Sequence, residues 1–179
     1  MTNDIITIIP SALAITAPLV IGSMLLSNYN GITSLRRGID ISLSEISHAI
    51  IQRNNEFPRL IEKMQGQLKE VDKYFLETNT ARRTSKRAVE LRDVVKISSA
   101  EEKMKQSISD MLDDVQYSGV SLEDVTDFSN KLNEYEKCIH ELKNQYNFKV
   151  EFYNSTLDSI PYVVISKILR LQKLSNLTF

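Results

Sequence analysis

The sequence predicts an all-α protein in which an N-terminal transmembrane helix is followed by an antiparallel four-helix bundle with long helices. Three observations lead to this fold class. The segment Ile5–Leu26 is overwhelmingly apolar, carries no charge and is close to the roughly 20 residues that a helix needs to cross a bilayer. Only five Gly and four Pro occur in 179 residues, which disfavours a sheet with its many turns. Through most of the remaining chain, apolar residues recur at spacings of three and four.

The N-terminal segment is predicted to be a retained membrane helix and not a cleaved signal peptide. A signal peptide needs a basic n-region, a short apolar core and a small-x-small cleavage site, whereas Asp4 is the only charged side chain before Arg36. Arg36 and Arg37 follow the apolar segment, so the positive-inside rule predicts an external N-terminus and a cytoplasmic bundle. The single cysteine, Cys138, agrees with a reducing compartment.

The first helix of the bundle is predicted from an apolar stripe that begins at Leu35 and continues through Ile39, Leu43, Ile46 and Ile50. Asn54 and Pro58 favour a break after this stripe, because Asn is a good N-cap and Pro fits the first turn of a helix. One long helix that is kinked at Pro58 is the alternative. The second helix would carry the apolar residues that follow the break: Leu60, Ile61, Met64, Leu68, Val71, Tyr74 and Phe75.

The remaining elements follow from polarity and helix-end signals. Residues 78–92 are polar and basic and show no apolar stripe, so they are predicted to be a connection, with a frayed helix as the alternative. A third helix follows, and Gly119 is predicted to end it. Ser121 with Asp124 resembles a capping box at the start of the fourth helix, which is predicted to continue to Pro161. The fourth helix has the longest stripe: Leu132, Tyr135, Ile139, Leu142, Tyr146, Val150, Tyr153, Leu157 and Ile160.

Composition and motifs give no support for catalysis, a cofactor or a metal. The net charge of −1 disfavours binding to nucleic acid. Cys138 has no second cysteine with which to form a disulfide or a zinc site, and a packed or half-buried thiol is predicted. Glu45 and His48 form one half of a di-iron motif, but Lys137 stands three residues before the other histidine, so the second half is missing. The chain is therefore predicted not to be an enzyme.

Several short motifs resemble the signature of the LemA family. Tyr-Asn pairs occur at Tyr29-Asn30, Tyr146-Asn147 and Tyr153-Asn154, and the last two pairs are one heptad apart. Pro161 follows them, and Pro58 lies in a stretch that is similar to another part of the signature. The resemblance covers about residues 29–166 and identifies the chain as a divergent member, since Leu43 and Asn54 stand where the family often has Trp and Arg.

The resemblance implies a bacterial protein with one N-terminal membrane helix and a helical-bundle domain, and it leaves the activity open. We therefore expect three parts: a membrane anchor over residues 1–28, a LemA-like helical bundle over 29–161, and a basic amphipathic tail over 162–179. The expected location is the bacterial cytoplasmic membrane, with a single pass.

Aromatic and amide side chains on the predicted fourth helix invite two interpretations. Tyr135, Tyr146 and Tyr153 recur at helical spacing and are predicted to be core residues with hydroxyls at its rim, while a ligand groove is the alternative. Asn147 and Asn154 are seven residues apart and share a helix face. These two amides either set the register between helices or bind the backbone of a partner.

The predicted topology separates the charges along the bundle. The 78–92 connection and the tail would lie near the membrane, and the predicted membrane-proximal basic residues are Arg36, Arg37, Arg82, Arg83, Lys86, Arg87, Lys167, Arg170 and Lys173. Residues 110–127 would lie at the far end and contain no Lys or Arg. The candidate partner surface there consists of Asp110, Asp113, Asp114, Glu123, Asp124 and Asp127. The alternative is that these charges only solvate the helix faces.

These features predict a membrane-anchored, non-enzymatic scaffold or adaptor for protein partners at the cytoplasmic face of the membrane. Its expected partners are the lipid bilayer, unidentified proteins and a possible second copy of the chain, with no nucleic acid and no cofactor. A membrane-remodelling or membrane-sensing protein that acts through the anchor and the basic tail is the alternative. A sensor of a small ligand between helices is a third hypothesis.

Overall fold

The protein is all-helical in a computed structural model that describes residues 2–63, 71–117 and 122–179. The five helices are α1 (Thr2–Lys63), α2 (Val71–Glu90), α3 (Val94–Tyr117), α4 (Leu122–Asp158) and α5 (Tyr162–Ile168). No strand occurs within these three ranges. The predicted all-α class is therefore confirmed.

Helix α1 is 62 residues long and continues through Pro58. The predicted break at this position is wrong, and the alternative of a helix that continues through Pro58 is confirmed as far as Lys63. Asn54, the expected cap, is buried and its side chain bonds to Arg53 and Ser85 instead of capping a new helix. Phe57 packs edge-to-face on Phe128 of α4 with ring centroids 6.3 Å apart, and this contact holds the helix together beside the proline.

The basic stretch that was expected to be a connection belongs mainly to helix α2, so that prediction is wrong. Among the α2 side chains that the structure describes, mainly small residues form the buried face. This buried stripe recurs at spacings of three and four and consists of Thr78, Ala81, Ser85, Ala88 and Val89. The apolar residues predicted for a helix after Pro58 lie outside the residues whose side chains the structure describes.

The turn between α2 and α3 is short and well bonded. Arg92 has a positive φ of 52°, and its guanidinium donates to the backbone oxygen of Asp40 at 2.9 Å. Asp93 acts as the N-cap of α3, since its carboxylate accepts a hydrogen bond from the backbone N–H of Lys96 at 3.1 Å. Hydrogen bonds from the Lys96 side chain and backbone hold the pKa of Asp93 below its ordinary value.

Most residues of the stripe that was predicted on α4 are buried in the protein core. Six of the nine stripe residues are buried: Leu132, Ile139, Tyr146, Val150, Tyr153 and Leu157. Ile160 is 87% exposed, since the helix has already ended at Asp158. Cys138 is exposed, so the prediction of a packed or half-buried thiol is wrong. It precedes the buried Ile139, and one position along a helix turns a side chain by about 100°.

The chain divides into two compact units. Unit 1 contains residues 1–38 and 151–174, and its buried side chains include those of Ile32, Tyr153, Leu157 and Ile165. In this unit the Ser166 hydroxyl donates to the backbone oxygens of Leu157 and Val163. The predicted boundaries at 28–29 and 161–162 stay predictions.

Unit 2 contains residues 39–150 and 175–179. Its contacts between α1 and α4 run in opposite order along the two helices: Ser42 bonds to Lys149, Arg53 to Glu136, and Phe57 packs on Phe128. These two helices are therefore antiparallel over this length. Helices α2 and α3 also pack on each other extensively. The core of the unit contains apolar residues from all four long helices.

The segment Ile5–Leu26 falls largely on side chains that lie outside the described residues. Among the residues that the structure does describe, no helix is both long enough and apolar enough to cross a membrane. The predicted transmembrane helix is not supported by that finding and stays a prediction. The side chains that are described between Leu19 and Leu26 are all exposed.

Candidate functional site

A buried polar cluster in unit 2 is centred on Arg53 of α1. The Arg53 side chain is 1% exposed, and a buried charge needs partners. Its Nη2 lies 2.7 Å from Oε2 of Glu101 on α3, and its Nη1 lies 2.6 Å from Oε1 of Glu136 on α4. Glu101 is fully buried, whereas Glu136 is 30% exposed. One cation thus faces two anions, one of which has contact with solvent.

Asn54 and Ser85 complete this cluster. Asn54 Oδ1 accepts hydrogen bonds from Arg53 Nε at 3.2 Å and from Nη2 at 3.0 Å. Asn54 Nδ2 donates to the Ser85 hydroxyl at 3.1 Å, and that hydroxyl donates to Glu101 Oε1 at 3.0 Å. We call these residues the Arg53 cluster: Arg53, Asn54, Ser85, Glu101 and Glu136. It joins α1, α2, α3 and α4 through mutually satisfied groups.

The Arg53 cluster is a network of ion pairs and hydrogen bonds with a structural role. Both carboxylates accept hydrogen bonds from the Arg53 guanidinium, and Glu101 accepts another from Ser85. Removing one partner of such a pair leaves a buried charge without compensation, so the cluster fixes the relative register of four helices. Within the described ranges no group of three or more His, Cys, Asp or Glu could hold a metal ion.

Sequence reasoning missed the Arg53 cluster, although a signal for it was present. Arg53 continues the apolar stripe of α1 between Ile50 and Phe57, and Glu101 continues that of α3 between Ile97 and Met104. A charged residue in a stripe position on two different helices indicates a buried ion pair. Neither charge was singled out from the sequence, because the partner on the other helix was unknown.

The two Tyr-Asn pairs of α4 bind the backbone of the chain's own tail. In unit 2, Asn147 Nδ2 donates to the Leu177 backbone oxygen at 2.9 Å, and the Leu177 N–H donates to Asn147 Oδ1 at 2.8 Å. In unit 1, Asn154 makes the same pair of bonds with Leu174, both at 2.9 Å. A side-chain amide offers one donor and one acceptor, which matches the N–H and C=O of an extended residue.

Further contacts in unit 2 hold the segment Ser175–Phe179 on α3 and α4. Leu177 is 2% exposed. The Tyr146 hydroxyl donates to the Ser175 backbone oxygen at 3.2 Å, and the Thr178 N–H donates to the Ser98 hydroxyl at 3.1 Å. We call the residues of α3 and α4 that contact this segment the tail-binding face: Ser98, Lys105, Lys143, Tyr146 and Asn147.

Two lysines of the tail-binding face surround Phe179. The ammonium nitrogen of Lys143 lies 5.1 Å from the ring centroid and that of Lys105 lies 5.7 Å from it, which are cation–π distances. Lys143 also donates to the Phe179 backbone oxygen. Partial burial and the nearby Lys105 lower the pKa of Lys143, and Glu136 opposes this shift. The aromatic ring therefore packs between two like charges that repel each other.

The core prediction for the tyrosines is confirmed for Tyr146 and Tyr153, which are 2% and 0% exposed. Burial raises the pKa of Tyr146, and the charge of Asp40 raises it further. The Tyr153 hydroxyl is buried without a hydrogen-bond partner among the described residues. Each Asn of the pair bonds to the backbone of the chain itself, which matches neither interpretation, so a role in helix register and binding to a partner's backbone both stay predictions.

The predicted basic residues are almost all at the surface. Only Arg82 is half-buried among them, and the exposed ones are Arg36, Arg37, Arg83, Lys86, Arg87, Lys167, Arg170 and Lys173. Lys173 pairs with the exposed Asp158 at 2.7 Å, which offsets its charge. Of the other signature residues, Tyr29 and Asn30 are exposed, while Pro58 and Pro161 are half-buried.

The predicted acidic surface is only partly described. Asp110, Asp113 and Asp127 are exposed. The side chains of the other three predicted members lie outside the described residues: Asp114, Glu123 and Asp124. Asp127 pairs with Lys131 at 3.5 Å, and Asp110 accepts a hydrogen bond from Gln106 at 2.7 Å. These contacts do not bring the three aspartates together into one site.

The protein thus belongs to the all-helical class. A buried ion-pair cluster joins its long helices, and its tail is bound to helices α3 and α4. The model of the LemA family matches residues 42–179, so the chain belongs to the LemA family. That range includes the whole Arg53 cluster and the whole tail-binding face. Neither the curated proteins nor the solved structures contain a match.

Proposed function

We propose that the protein is a membrane-tethered, non-enzymatic scaffold or adaptor that binds protein partners at the cytoplasmic face of the bacterial membrane. The observation that carries this proposal is the exposed apolar surface of α1. Five large apolar side chains between positions 19 and 26 are 41–69% exposed: Leu19, Val20, Met24, Leu25 and Leu26. No charged residue interrupts them. An apolar cluster of this kind suits lipid better than water.

The proposal includes an antiparallel bundle of the four long helices next to the tether. The reversed order of contacts along α1 and α4 supports it, as does the Arg53 cluster, to which each long helix contributes a side chain. The buried polar groups of that cluster are bonded to one another and not directed at an open cavity. A rigid helical support is the role that such an arrangement suits best.

Membrane fractionation of the full chain tests the tether. Replacing two exposed apolar residues of α1 with lysine, Val20→Lys with Met24→Lys, is expected to move the protein from the carbonate-resistant fraction to the soluble fraction, since a lysine opposes insertion by about 3 kcal/mol at a helix centre and by less towards the helix end. The matched control changes two equally exposed apolar residues elsewhere, Leu76→Lys with Phe148→Lys, and is expected to stay in the membrane. Carbonate extraction of the unmodified protein would contradict the tether.

Protease digestion of spheroplasts tests the orientation. Arg36 and Arg37 follow the apolar segment, and the positive-inside rule then keeps the helical domain in the cytoplasm. We expect the domain to be protected in intact spheroplasts and digested after lysis. Digestion from the outside would contradict a cytoplasmic domain and leave the tether standing.

Site-specific crosslinking tests the scaffold role and its candidate surface. Charge reversal of two exposed aspartates of α3, Asp110→Lys with Asp113→Lys, is expected to abolish a crosslink formed in cells. The control reverses two exposed glutamates of α4, Glu134→Lys with Glu141→Lys, and is expected to retain it. If both pairs of substitutions abolish the crosslink equally, the loss is not specific to the aspartates, and they are not the partner surface.

A membrane-sensing function is the second candidate, and the surface of α5 favours it. Val164, Ile168 and Leu169 are 53%, 68% and 43% exposed beside Lys167 and Arg170. Exposed apolar residues with neighbouring cations bind anionic lipid surfaces.

Vesicles distinguish this second function from the first. The variant Lys167→Glu with Arg170→Glu is compared with a control at two exposed lysines of unit 2, Lys103→Glu with Lys137→Glu. A sensing role predicts that the Lys167→Glu, Arg170→Glu variant loses its preference for anionic vesicles, whereas the control keeps this preference. It also predicts that the same variant loses its function in cells. Intact function in that variant would reject sensing.

A further inference from the structure

The tail-binding face recognises Ser175–Phe179 mainly through the peptide backbone. Asn147 holds the N–H and the C=O of Leu177, Tyr146 holds the C=O of Ser175, and Ser98 holds the N–H of Thr178. Such contacts accept any extended chain. Selection must therefore come from side chains of the bound segment.

Two positions of the segment supply that selection. Leu177 is buried, and the Phe179 ring lies between the ammonium groups of Lys105 and Lys143. The segment is thus read as an apolar residue followed two positions later by an aromatic one. Backbone bonds for affinity and side-chain pockets for specificity are the usual division in the recognition of extended peptides.

We propose that the tail-binding face is a peptide receptor, and that it takes residues 175–179 from a second copy of the chain in exchange for its own. The occupant is defined by chemistry that is already seated on the face. Residues 175–179 form neither helix nor strand, so their bonds to α3 and α4 are what place them. A second copy offers the same segment, and exchange of an identical element is a low-cost route to a dimer.

Concentration decides between the closed chain and the exchanged one. A tethered tail is present at an effective concentration of about millimolar, so its own face captures it first in dilute solution. Exchange becomes competitive when copies are crowded or when the tail of one copy is weakened. The inference stands without the membrane tether, which would only raise the local concentration.

Peptide binding to full-length variants tests the receptor. The variant Leu177→Ser frees the face by weakening its own tail, and Phe179→Ala does so with a smaller loss of packing. A labelled, amidated peptide of residues 171–179 is expected to bind either variant at least tenfold more tightly than the unmodified protein. Adding Asn147→Ala to either variant is expected to weaken binding at least tenfold, and a peptide with Leu177→Ser is expected not to bind.

Equal peptide binding by the unmodified protein and both tail variants would overturn the receptor, as would unchanged binding after Asn147→Ala. Circular dichroism of each variant confirms that the fold persists. Phe179→Ala removes less packing than Leu177→Ser, so peptide binding can still be compared with the unmodified protein if Leu177→Ser fails to fold.

Mixing complementary variants tests the exchange itself. Leu177→Ser retains the face and Asn147→Ala retains the tail, so the two together can form one exchanged contact. We expect chemical crosslinking to give a mixed dimer well above the level that either variant gives alone. If the peptide binds but the mixture gives no such excess, a second copy is not the occupant and the exchange is refuted.

Discussion

Replacing Arg53 by methionine removes the centre of the buried cluster while it keeps a side chain of similar length. The change deletes the contacts at 2.7 Å to Glu101 and at 2.6 Å to Glu136. Glu101 is then left fully buried, and the Ser85 hydroxyl is its remaining hydrogen-bond partner in the cluster. Breaking a buried pair in this way costs about 3–5 kcal/mol.

That loss is large compared with the whole stability of a domain, which is about 5–15 kcal/mol. Denaturant unfolding of the full chain in mild detergent, followed by circular dichroism, measures it as a change in the free energy of unfolding. Arg59→Met is the matched control, because Arg59 is 77% exposed and lies 3.7 Å from its partner Glu56. We expect the control to cost about 0–1 kcal/mol, as surface pairs do.

A double-mutant cycle with Glu101→Gln separates the ion pair from the lost packing. Once Arg53 is methionine, a neutral Gln at position 101 removes the uncompensated charge, so the double variant is expected to be less destabilised than the sum of the single changes by about 1–3 kcal/mol. Two results would refute the reasoning: Arg53→Met within about 1 kcal/mol of the Arg59 control, or single effects that simply add.

Three further predictions concern particular side chains. Burial raises the pKa of Tyr146, so the contribution of its neutral phenol to the free energy of unfolding is complete below pH ~10 and is lost as the pH rises above that value. Alkaline difference spectra of Tyr146→Phe should therefore lack one phenol that titrates late. Cys138 is exposed and should react with a thiol reagent in the native protein about as fast as in denaturant. The control is Ile139→Cys in a Cys138→Ser background, and its thiol should be protected in the native protein because Ile139 is 1% exposed. Ser85→Ala should cost about 1–3 kcal/mol in unfolding measurements, because Asn54 Nδ2 and Glu101 Oε1 each lose their hydrogen bond to the Ser85 hydroxyl, and the exposed Ser99→Ala should be nearly neutral.

The helical class and the stripes of α1 and α4 were predictable because large apolar residues mark them. Ile39, Ile46 and Ile50 on α1 are all buried, as the spacing predicts. The part of α2 from Thr78 onward was predicted as a connection, because its described buried side chains are mainly Ala, Ser and Thr, with Val89 as the one larger apolar residue, and hydropathy does not distinguish such a face from a loop. Small residues let helices approach closely, so their regular spacing is a packing signal in its own right.

Pro58 shows why local signals fail when tertiary contacts decide. A proline inside a helix removes one backbone bond and normally disfavours helix by about 3 kcal/mol. Here the neighbouring Phe57 is 1% exposed and packs on Phe128, while Arg53 and Asn54 are fixed one turn earlier. These contacts outweigh the local preference, and none of them is visible without the partner helices.

The spacing of the two Asn residues on α4 explains why the motif repeats after seven positions. Seven residues of an α-helix advance about 10 Å, and three residues of extended chain advance about the same distance. Asn147 and Asn154 can therefore hold Leu177 and Leu174, which are three residues apart, with the same pair of bonds. A repeat of seven is usually attributed to contact between two helices, but here its length matches three residues of extended chain. The buried tyrosine before each Asn fixes which face of α4 the amide occupies, so the Tyr-Asn pair combines a core anchor with a backbone clamp.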